Sequence, residues 1–295
     1  MAKSIESLKL ANILNNTEGL LTDVDLTLLG KNRLLSEENL QAIKDYLILS
    51  AQNPQLPKLA LCTARHPAAL INTVLPVFAE HAPESLHVVC DGAMLINSKA
   101  EIIWQEALDC SLVKEICQAV EQLGGSFGFG SGDAFYCGNT FLHERREGNE
   151  AIKYLAFAEI EKQENWTTTL IVVNHLNESV EKYVQALEQQ FGFHTQKILS
   201  TFSHQYYYNI TLSVASKAKG LKKWAEYYQL DAKKIIMLGD SDNDIEAMET
   251  GIGVAVANAK PEVKEIADVV LEQSNDDGAV AWLLGQISEK VFNPQ

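Results

Sequence analysis

The sequence predicts an α/β protein in which one parallel-sheet domain is interrupted by a smaller α+β domain. Three observations carry this reading. Short apolar runs with polar ends alternate with helix-length segments up to about residue 97; from about Ile102 to Ile210 hairpin and helix patterns replace that alternation; from Lys217 it resumes. Strand, helix, strand with short polar ends is the rhythm of a parallel sheet, whereas hairpins mixed with helices suggest an antiparallel one. The expected domains are therefore 1–100 with 211–295, and an insertion over 101–210.

Length and charge bound the function. At 295 residues the chain allows about two domains. A formal net charge of −15, from 24 Lys+Arg against 39 Asp+Glu, argues against a nucleic-acid partner, which needs a basic face, and against anionic membrane surfaces. It leaves small phosphorylated molecules open, because a local cation overrides a distant field. The five cysteines are odd in number and form no CxxC pair, so a reducing, cytoplasmic setting is expected. No secretory leader and no membrane-length apolar run is expected either.

The elements follow in order. Residues 1–18 carry Ile5, Leu8, Ile13 and Leu14 at roughly helical spacing. Leu20–Leu29 opens as an apolar strand and ends on Asp23 and Asp25, which share a face if the strand continues. Ser36-Glu37-Glu38 offers a cap and an acidic first turn for a helix to about Leu49. Lys58–Cys62 reads as a buried strand, Pro67–Ala79 as a helix, and Leu86–Cys90 as a strand stopping at Asp91-Gly92-Ala93. In the insertion we expect a strand near Ile102, helices over about 111–123, 149–162 and 177–190, and a glycine-rich hairpin around Ser131-Gly132-Asp133. A strand over Thr168–Val173 and two more near 194–200 and 205–212 complete it. The last stretch predicts a helix over 217–229, the strand Lys234–Leu238, a helix over 245–250, the strand Gly253–Val256, a helix after Pro261 and another near 279–288.

Ligands of open α/β sheets bind beyond the carboxyl ends of the strands, and Asp23, Thr63, Asp91 and Asp240 all sit at such ends. Carboxylates crowded there repel one another unless a cation intervenes; the plain alternative is a strand running into a polar turn, where Asp is common. Gly239-Asp240-Ser241-Asp242-Asn243-Asp244 is not a calcium loop: counting from Asp240, the sixth and twelfth positions are Ile245 and Gly251 rather than Gly and Glu. No GxxxxGK[ST] phosphate loop occurs, and Gly128-Phe129-Gly130-Ser131-Gly132 lacks the final glycine of a dinucleotide fingerprint. Asp23, Asp25, Asp240 and Asp244 together offer hard oxygen ligands that suit Mg²⁺.

With Asp23-Val24-Asp25-Leu26-Thr27, Thr63, Lys219 and Gly239–Asp244 falling in that order, the chain resembles the haloacid dehalogenase superfamily of phosphatases, in its Cof-type branch with a type II cap. The likeness runs from Gly19 nearly to the end. It implies a Rossmann-like core with an inserted cap acting as a lid, and a Mg²⁺-dependent phosphatase of small phosphorylated metabolites, sugar phosphates above all. Asp23 would be the nucleophile that forms an aspartyl-phosphate, and Asp25 the general acid and base. The metal would be held by Asp23, the main-chain carbonyl of Asp25, Asp240 and Asp244, with Asn243 supporting the loop. Thr63 and Lys219 would bind phosphate oxygens; Lys219 is preferred because Gly220 follows it, and Lys217 is the fallback.

Some positions depart from that pattern. Leu26 stands where many relatives carry Gly, Ala64 where Gly is usual, and Asp91 where Asn is common. Arg65 and Asp91 are candidate substrate contacts, Arg65 against the alternative of a surface ion pair. Arg145 and Arg146, flanked by Glu144 and Glu147, read as a solvated charge cluster. His66 reads as a polar residue at a helix start, and Tyr206-Tyr207-Tyr208 as sheet packing. A phosphomutase on the same site, or a catalytically silent binding protein on the same scaffold, are the rival readings.

Overall fold

The chain's first strand sets the frame for everything near the candidate site. The computed structural model describes residues 5–141, 152–199, 204–212 and 215–292. In chain order its first part runs α1 (Ile5–Asn16), β1 (Gly19–Thr22), α2 (Glu37–Gln52), β2 (Lys58–Leu61), α3 (Leu75–His81), β3 (Leu86–Val89), β4 (Met94–Asn97) and β5 (Ile102–Gln105). All four residues of β1 are buried, as the continuous apolar run requires of a central parallel strand. Ser36 caps α2 by accepting the Asn39 N–H, the capping chemistry its sequence announces.

The middle part runs α4 (Cys110–Gln122), β6 (Ser126–Ser131), β7 (Ala134–Cys137), β8 (Lys153–Ala156), β9 (Ile171–Asn174), α5 (Glu178–Phe191), β10 (Phe193–Leu199) and β11 (Tyr206–Leu212). The last part runs α6 (Lys217–Tyr228), β12 (Ile235–Gly239), α7 (Ile245–Thr250), β13 (Ile252–Ala255), α8 (Pro261–Ile266), β14 (Val269–Val270) and α9 (Ala279–Phe292).

Two compact units result. One comprises Met1–Arg65, Thr73–Ile103 and Ser216–Gln295; the other comprises His66–Asn72 and Trp104–Ala215. The first unit holds a parallel sheet in the order β14-β13-β12-β1-β2, extended by a parallel bridge between Cys62 and Val88 of β3. Chain order therefore reverses direction between β1 and β12. That is the switch point where open α/β sheets form their crevice. Register pairs Thr22 with Leu238, so Asp23 and Asp240 leave neighbouring strands at nearly the same level.

The second unit has a six-stranded sheet ordered β10-β11-β9-β6-β7-β8, antiparallel except for the β7–β8 pair. One of its faces packs Phe127, Phe129, Ile171 and Val173 against Val113 and Ile116 of α4 and Val180 and Val184 of α5. Each unit thus owns a hydrophobic core.

Several elements differ from expectation. The helix expected over Pro67–Ala79 divides into a 3₁₀ turn, Pro67–Ala69, and α3. Pro76 lacks an N–H and lies in the first turn of α3, where it starts a helix but cannot continue one. The strand ending at Cys90 turns back as β4, an antiparallel partner of β3. The helix expected over 149–162 is present, where described, only as a single turn at Phe157–Ile160; before it the chain forms β8, whose Tyr154 ring packs edge-on to Phe135 at 5.8 Å. The first residues of that expected helix, with Arg145 and Arg146, lie outside the described residues.

Candidate active site

β1 ends at Thr22, one residue before Asp23. Asp23 and Asp25 are therefore on the turn that follows and not on the strand itself, and they take different partners. The Asp23 N–H donates to Leu238 O at 2.8 Å, so sheet pairing continues to the nucleophile candidate. Next, Leu26 adopts a left-handed φ of 57°, and Leu28 and Leu29 both donate back to Val24 O. A non-glycine residue in that region is strained by order 1–3 kcal/mol, which accounts physically for glycine being the easier residue at this position.

The lysine against Asp23 is Lys217. Its ammonium is 2.6 Å from Asp23 Oδ1 and 2.5 Å from Asp244 Oδ1, and its side chain is 1% exposed. The expectation of Lys219 is corrected by helix geometry, because residues two apart do not face the same way. Gly220, the clue that favoured Lys219, is three residues from Lys217 and shares its face. A Cβ on Gly220 would meet Val88 Cγ1 at 2.3 Å and Gly92 Cα at 2.8 Å. Gly92 in turn has φ +90°, and a Cβ there would lie 1.8 Å from Ser216 O. Both glycines let the start of α6 press against the turn after β3, and this seats Lys217.

β12 delivers the second acidic loop. Asp240 is 6% exposed and Asp244 fully buried. Asp244 Oδ2 accepts the N–H groups of Asp240 and Ser241, each at 3.0 Å, closing a capping box at the 3₁₀ turn Asp242–Asp244. The Thr27 hydroxyl donates to Asp240 Oδ1 at 3.1 Å. Sequence reading gave Thr27 no role of its own; its place four residues after Asp23 is the signal that could have found it.

Asp23, Asp240 and Asp244 offer carboxylate oxygens within 4.8 Å of one another. Burial first, and then the neighbouring Asp244 and Asp240 charges, push the Asp23 carboxyl well above the ordinary range against the pull of Lys217. Burial and Asp244 raise Asp240 to about 7. Burial opposes the Lys217 ammonium, but Asp23 and Asp244 outweigh it and hold the lysine charged. Asp25 behaves differently. Burial would raise it, yet the bidentate pair with Arg65 (Nε to Oδ2 at 2.8 Å, Nη2 to Oδ1 at 2.6 Å) holds it below the usual carboxylate range. Counting Asp23, Asp25, Asp240 and Asp244 against Lys217 and Arg65 leaves a formal charge of about −2, the deficit a divalent cation would fill. Buried, hard-oxygen donors in this number fit such an ion.

The remaining candidates each have their own partners. Thr63 follows β2 and is 1% exposed; its hydroxyl accepts the Arg65 N–H at 3.2 Å and keeps its own proton for donation. Asp91, in a left-handed conformation after β3, accepts from Asn243 Nδ2 at 3.2 Å. Arg65 is thus an ion-pair partner of Asp25, in a half-buried rather than a surface setting. His66 accepts the Ala68 N–H at the start of its 3₁₀ turn, the polar helix-start role its position suggested.

A phosphoglycolate phosphatase of Methanosarcina acetivorans is 44% identical over 77 residues, 26% of this chain and 34% of that protein. The 5-amino-6-(5-phospho-D-ribitylamino)uracil phosphatase of Bacillus subtilis is 40% identical over 75 residues, 25% of this chain and 28% of that protein. The chain therefore matches only about a third of the length of these relatives. A crystal structure of a haloacid dehalogenase-like hydrolase from Bacteroides thetaiotaomicron shares the fold with a TM-score of 0.76 at 17% identity, covering 92% of this chain and 99% of that one. The family model of haloacid dehalogenase-like hydrolases matches residues 20–284. With its strand-end carboxylates, buried lysine and inserted unit, the chain belongs to the haloacid dehalogenase-like hydrolase family.

Proposed function

We propose that this chain is a Mg²⁺-dependent phosphatase of small phosphorylated metabolites, with sugar phosphates as the expected class. The observation that carries the reading is Asp23: a buried carboxylate at a strand end, 2.6 Å from a buried ammonium and grouped with two further carboxylates. Asp23 attacks phosphorus in line, the bond to the leaving oxygen breaks, and an aspartyl-phosphate forms; water then releases phosphate and regenerates the carboxylate. Lys217 on Oδ1 orients Asp23 and neutralises charge as the phosphoryl group arrives. The Thr63 hydroxyl is the second donor to phosphoryl oxygens.

Mg²⁺, when bound, would offset the charge of the phosphoryl oxygens and let the clustered carboxylates ionise together. Asp23, Asp240 and the main-chain carbonyl of Asp25 are the residues that would hold it. Both oxygens of Asp244 already accept, one from Lys217 and one from two N–H groups. That supports a bracing role for Asp244, with any contact to the ion through water. Asp25 is the acid and base. Its pair with Arg65 favours the carboxylate, which suits proton removal from water. Protonating the leaving oxygen requires that pair to open or be shared with substrate.

Substrate choice is assigned to the inserted unit, since fold alone does not set it. The five cysteines are all free, which supports a cytoplasmic setting. Among the described residues no helix is long and apolar enough to cross a membrane.

The test is phosphate release across a panel of phosphorylated metabolites, with and without EDTA, for wild type and Asp23→Asn. Chelation and the substitution should each lower turnover by at least about 10³-fold. Phosphate release without a bisphosphate activator separates a phosphatase from a mutase. Wild-type turnover in Asp23→Asn would remove Asp23 from the mechanism and the reading with it.

A further inference from the structure

The turn that carries Asp25 and Thr27 is buried except at Asp25 and Leu26, which are partly buried, and it has carbonyl groups to satisfy. Val24, Thr27 and Leu28 are 0% exposed and Leu29 is 1%. Carbonyls in such a setting need donors, and three asparagines supply them, Asn39 from the following helix α2 and Asn258 and Asn275 from far along the chain. Asn39 Nδ2 donates to Leu28 O at 2.9 Å, Asn275 Nδ2 to Leu29 O at 3.0 Å, and Asn258 Nδ2 to Leu26 O at 2.8 Å.

Asn258 differs from the other two in what its own loop touches. It follows β13 in the stretch 256–260. There, Val256 N donates to Gly239 O at 3.3 Å and Lys260 N to Asp240 O at 3.0 Å. One short loop thus grips the second acidic loop through its backbone and the first through the Asn258 amide. The Asn258 side chain is itself fixed, because its Oδ1 accepts the Asn275 N–H at 2.8 Å. Its acceptor is Leu26, the strained left-handed residue between Asp25 and Thr27, and Thr27 donates to Asp240 across the same gap.

We infer that Asn258, held from behind by Asn275, is a positioning residue that sets the spacing between the Asp23–Thr27 turn and the Asp240 loop. It touches neither substrate nor ion; it acts through Leu26 O. Relaxation of Leu26 would move Thr27 off Asp240 and separate the two halves of the carboxylate cluster. Asn39 serves as the internal control, since it braces the same turn without touching the Asp240 loop.

The inference rests on the proposed activity, so the experiment reads two quantities. One is p-nitrophenyl phosphate turnover as a function of Mg²⁺ and substrate. The other is the thermal shift that Mg²⁺ alone produces, which requires no turnover. The variants are Asn258→Asp, which keeps size and the Oδ1 acceptor but loses the donor, Asn258→Ser as a milder second change, and Asn39→Asp. Asn258→Asp should raise the half-saturating Mg²⁺ concentration and lower kcat, each by about tenfold, with KM for substrate within about twofold. Its Mg²⁺-induced thermal shift should shrink, and Asn258→Ser should fall between it and wild type. Asn39→Asp should melt earlier with an unchanged Mg²⁺ half-saturation. Wild-type Mg²⁺ dependence in both Asn258 variants, or the same Mg²⁺ loss in Asn39→Asp, would overturn the inference. Equal turnover by wild type and Asp23→Asn would instead overturn the phosphatase reading, while the Mg²⁺-induced shifts would still decide the role of Asn258.

Discussion

Lys217 and Lys219 differ by two positions and by most of a helix face, and that difference is measurable. Lys217→Met removes the cation between Asp23 and Asp244 and should lower turnover by about 10²–10³-fold, the usual cost of one preorganised charge donor. Lys219→Met should stay within about threefold; steady-state kinetics on a single substrate checks both. The sequence held the answer, but in Gly220. Reading that glycine as a neighbour favours Lys219, whereas reading it at helical spacing favours Lys217. Asp25 and Arg65 were each legible as candidates, yet their pairing was not, because a pair 40 positions apart leaves no spacing signal.

Also at this scale, His87 accepts the Leu61 N–H at Nδ1 and contacts Ser98 Oγ through Nε2. Burial pushes its pKa down from 6.5 to about 3. The unfolded chain therefore binds a proton that the folded chain refuses, and stability falls as pH drops through 6.5 toward 3. By pH about 5 this histidine should have removed about 2 kcal/mol relative to pH about 7.5. Urea unfolding at the two pH values should show a pH-dependent loss about 2 kcal/mol larger in wild type than in His87→Asn, the contributions of His66 and Asp240 being common to both.

At the scale of elements, periodicity and caps carried most of the fold. The helix α2 with its Ser36 cap, the strand β12 and the hairpin around Gly132 were readable because each is specified locally. The elements that escaped are specified by tertiary partners. β4 exists because Cys90, Asp91 and Gly92, with φ of 51°, 53° and 90°, reverse the chain against β3. β14 is two residues long and owes its existence to β13. The α6 start depends on close approach, so Gly220→Ala should cost about 1–3 kcal/mol through overpacking against Val88 and Gly92. It should also lower turnover further than lost stability explains, because Lys217 moves with the helix. Denaturant unfolding paired with kinetics on the folded fraction separates the two effects. A loss of stability with unchanged kcat would show that Lys217 is seated by something other than this contact.

Across the whole molecule, chain continuity is broken but the first unit's core is not. β1 and β12 are more than two hundred residues apart in sequence, yet they pair from Gly19↔Ile235 to Thr22↔Leu238, and the carboxylate cluster and Lys217 all belong to that unit. The second unit closes its own core on α4 and α5. Two separately buried cores predict two separable folding units. Replacing Trp104–Ala215 with a short Gly/Ser linker should therefore leave a core that unfolds cooperatively and still gains thermal stability from Mg²⁺. Catalytic discrimination should suffer instead, because binding energy from remote parts of a substrate is what raises one substrate's rate over another's. The kcat/KM advantage of the best metabolite over p-nitrophenyl phosphate should shrink to within about tenfold in the shortened chain. A shortened chain that keeps the full advantage would assign selectivity to the parallel-sheet unit. One that loses the Mg²⁺-induced shift, yet still unfolds cooperatively, would mean that the carboxylate cluster depends on the insertion for its geometry.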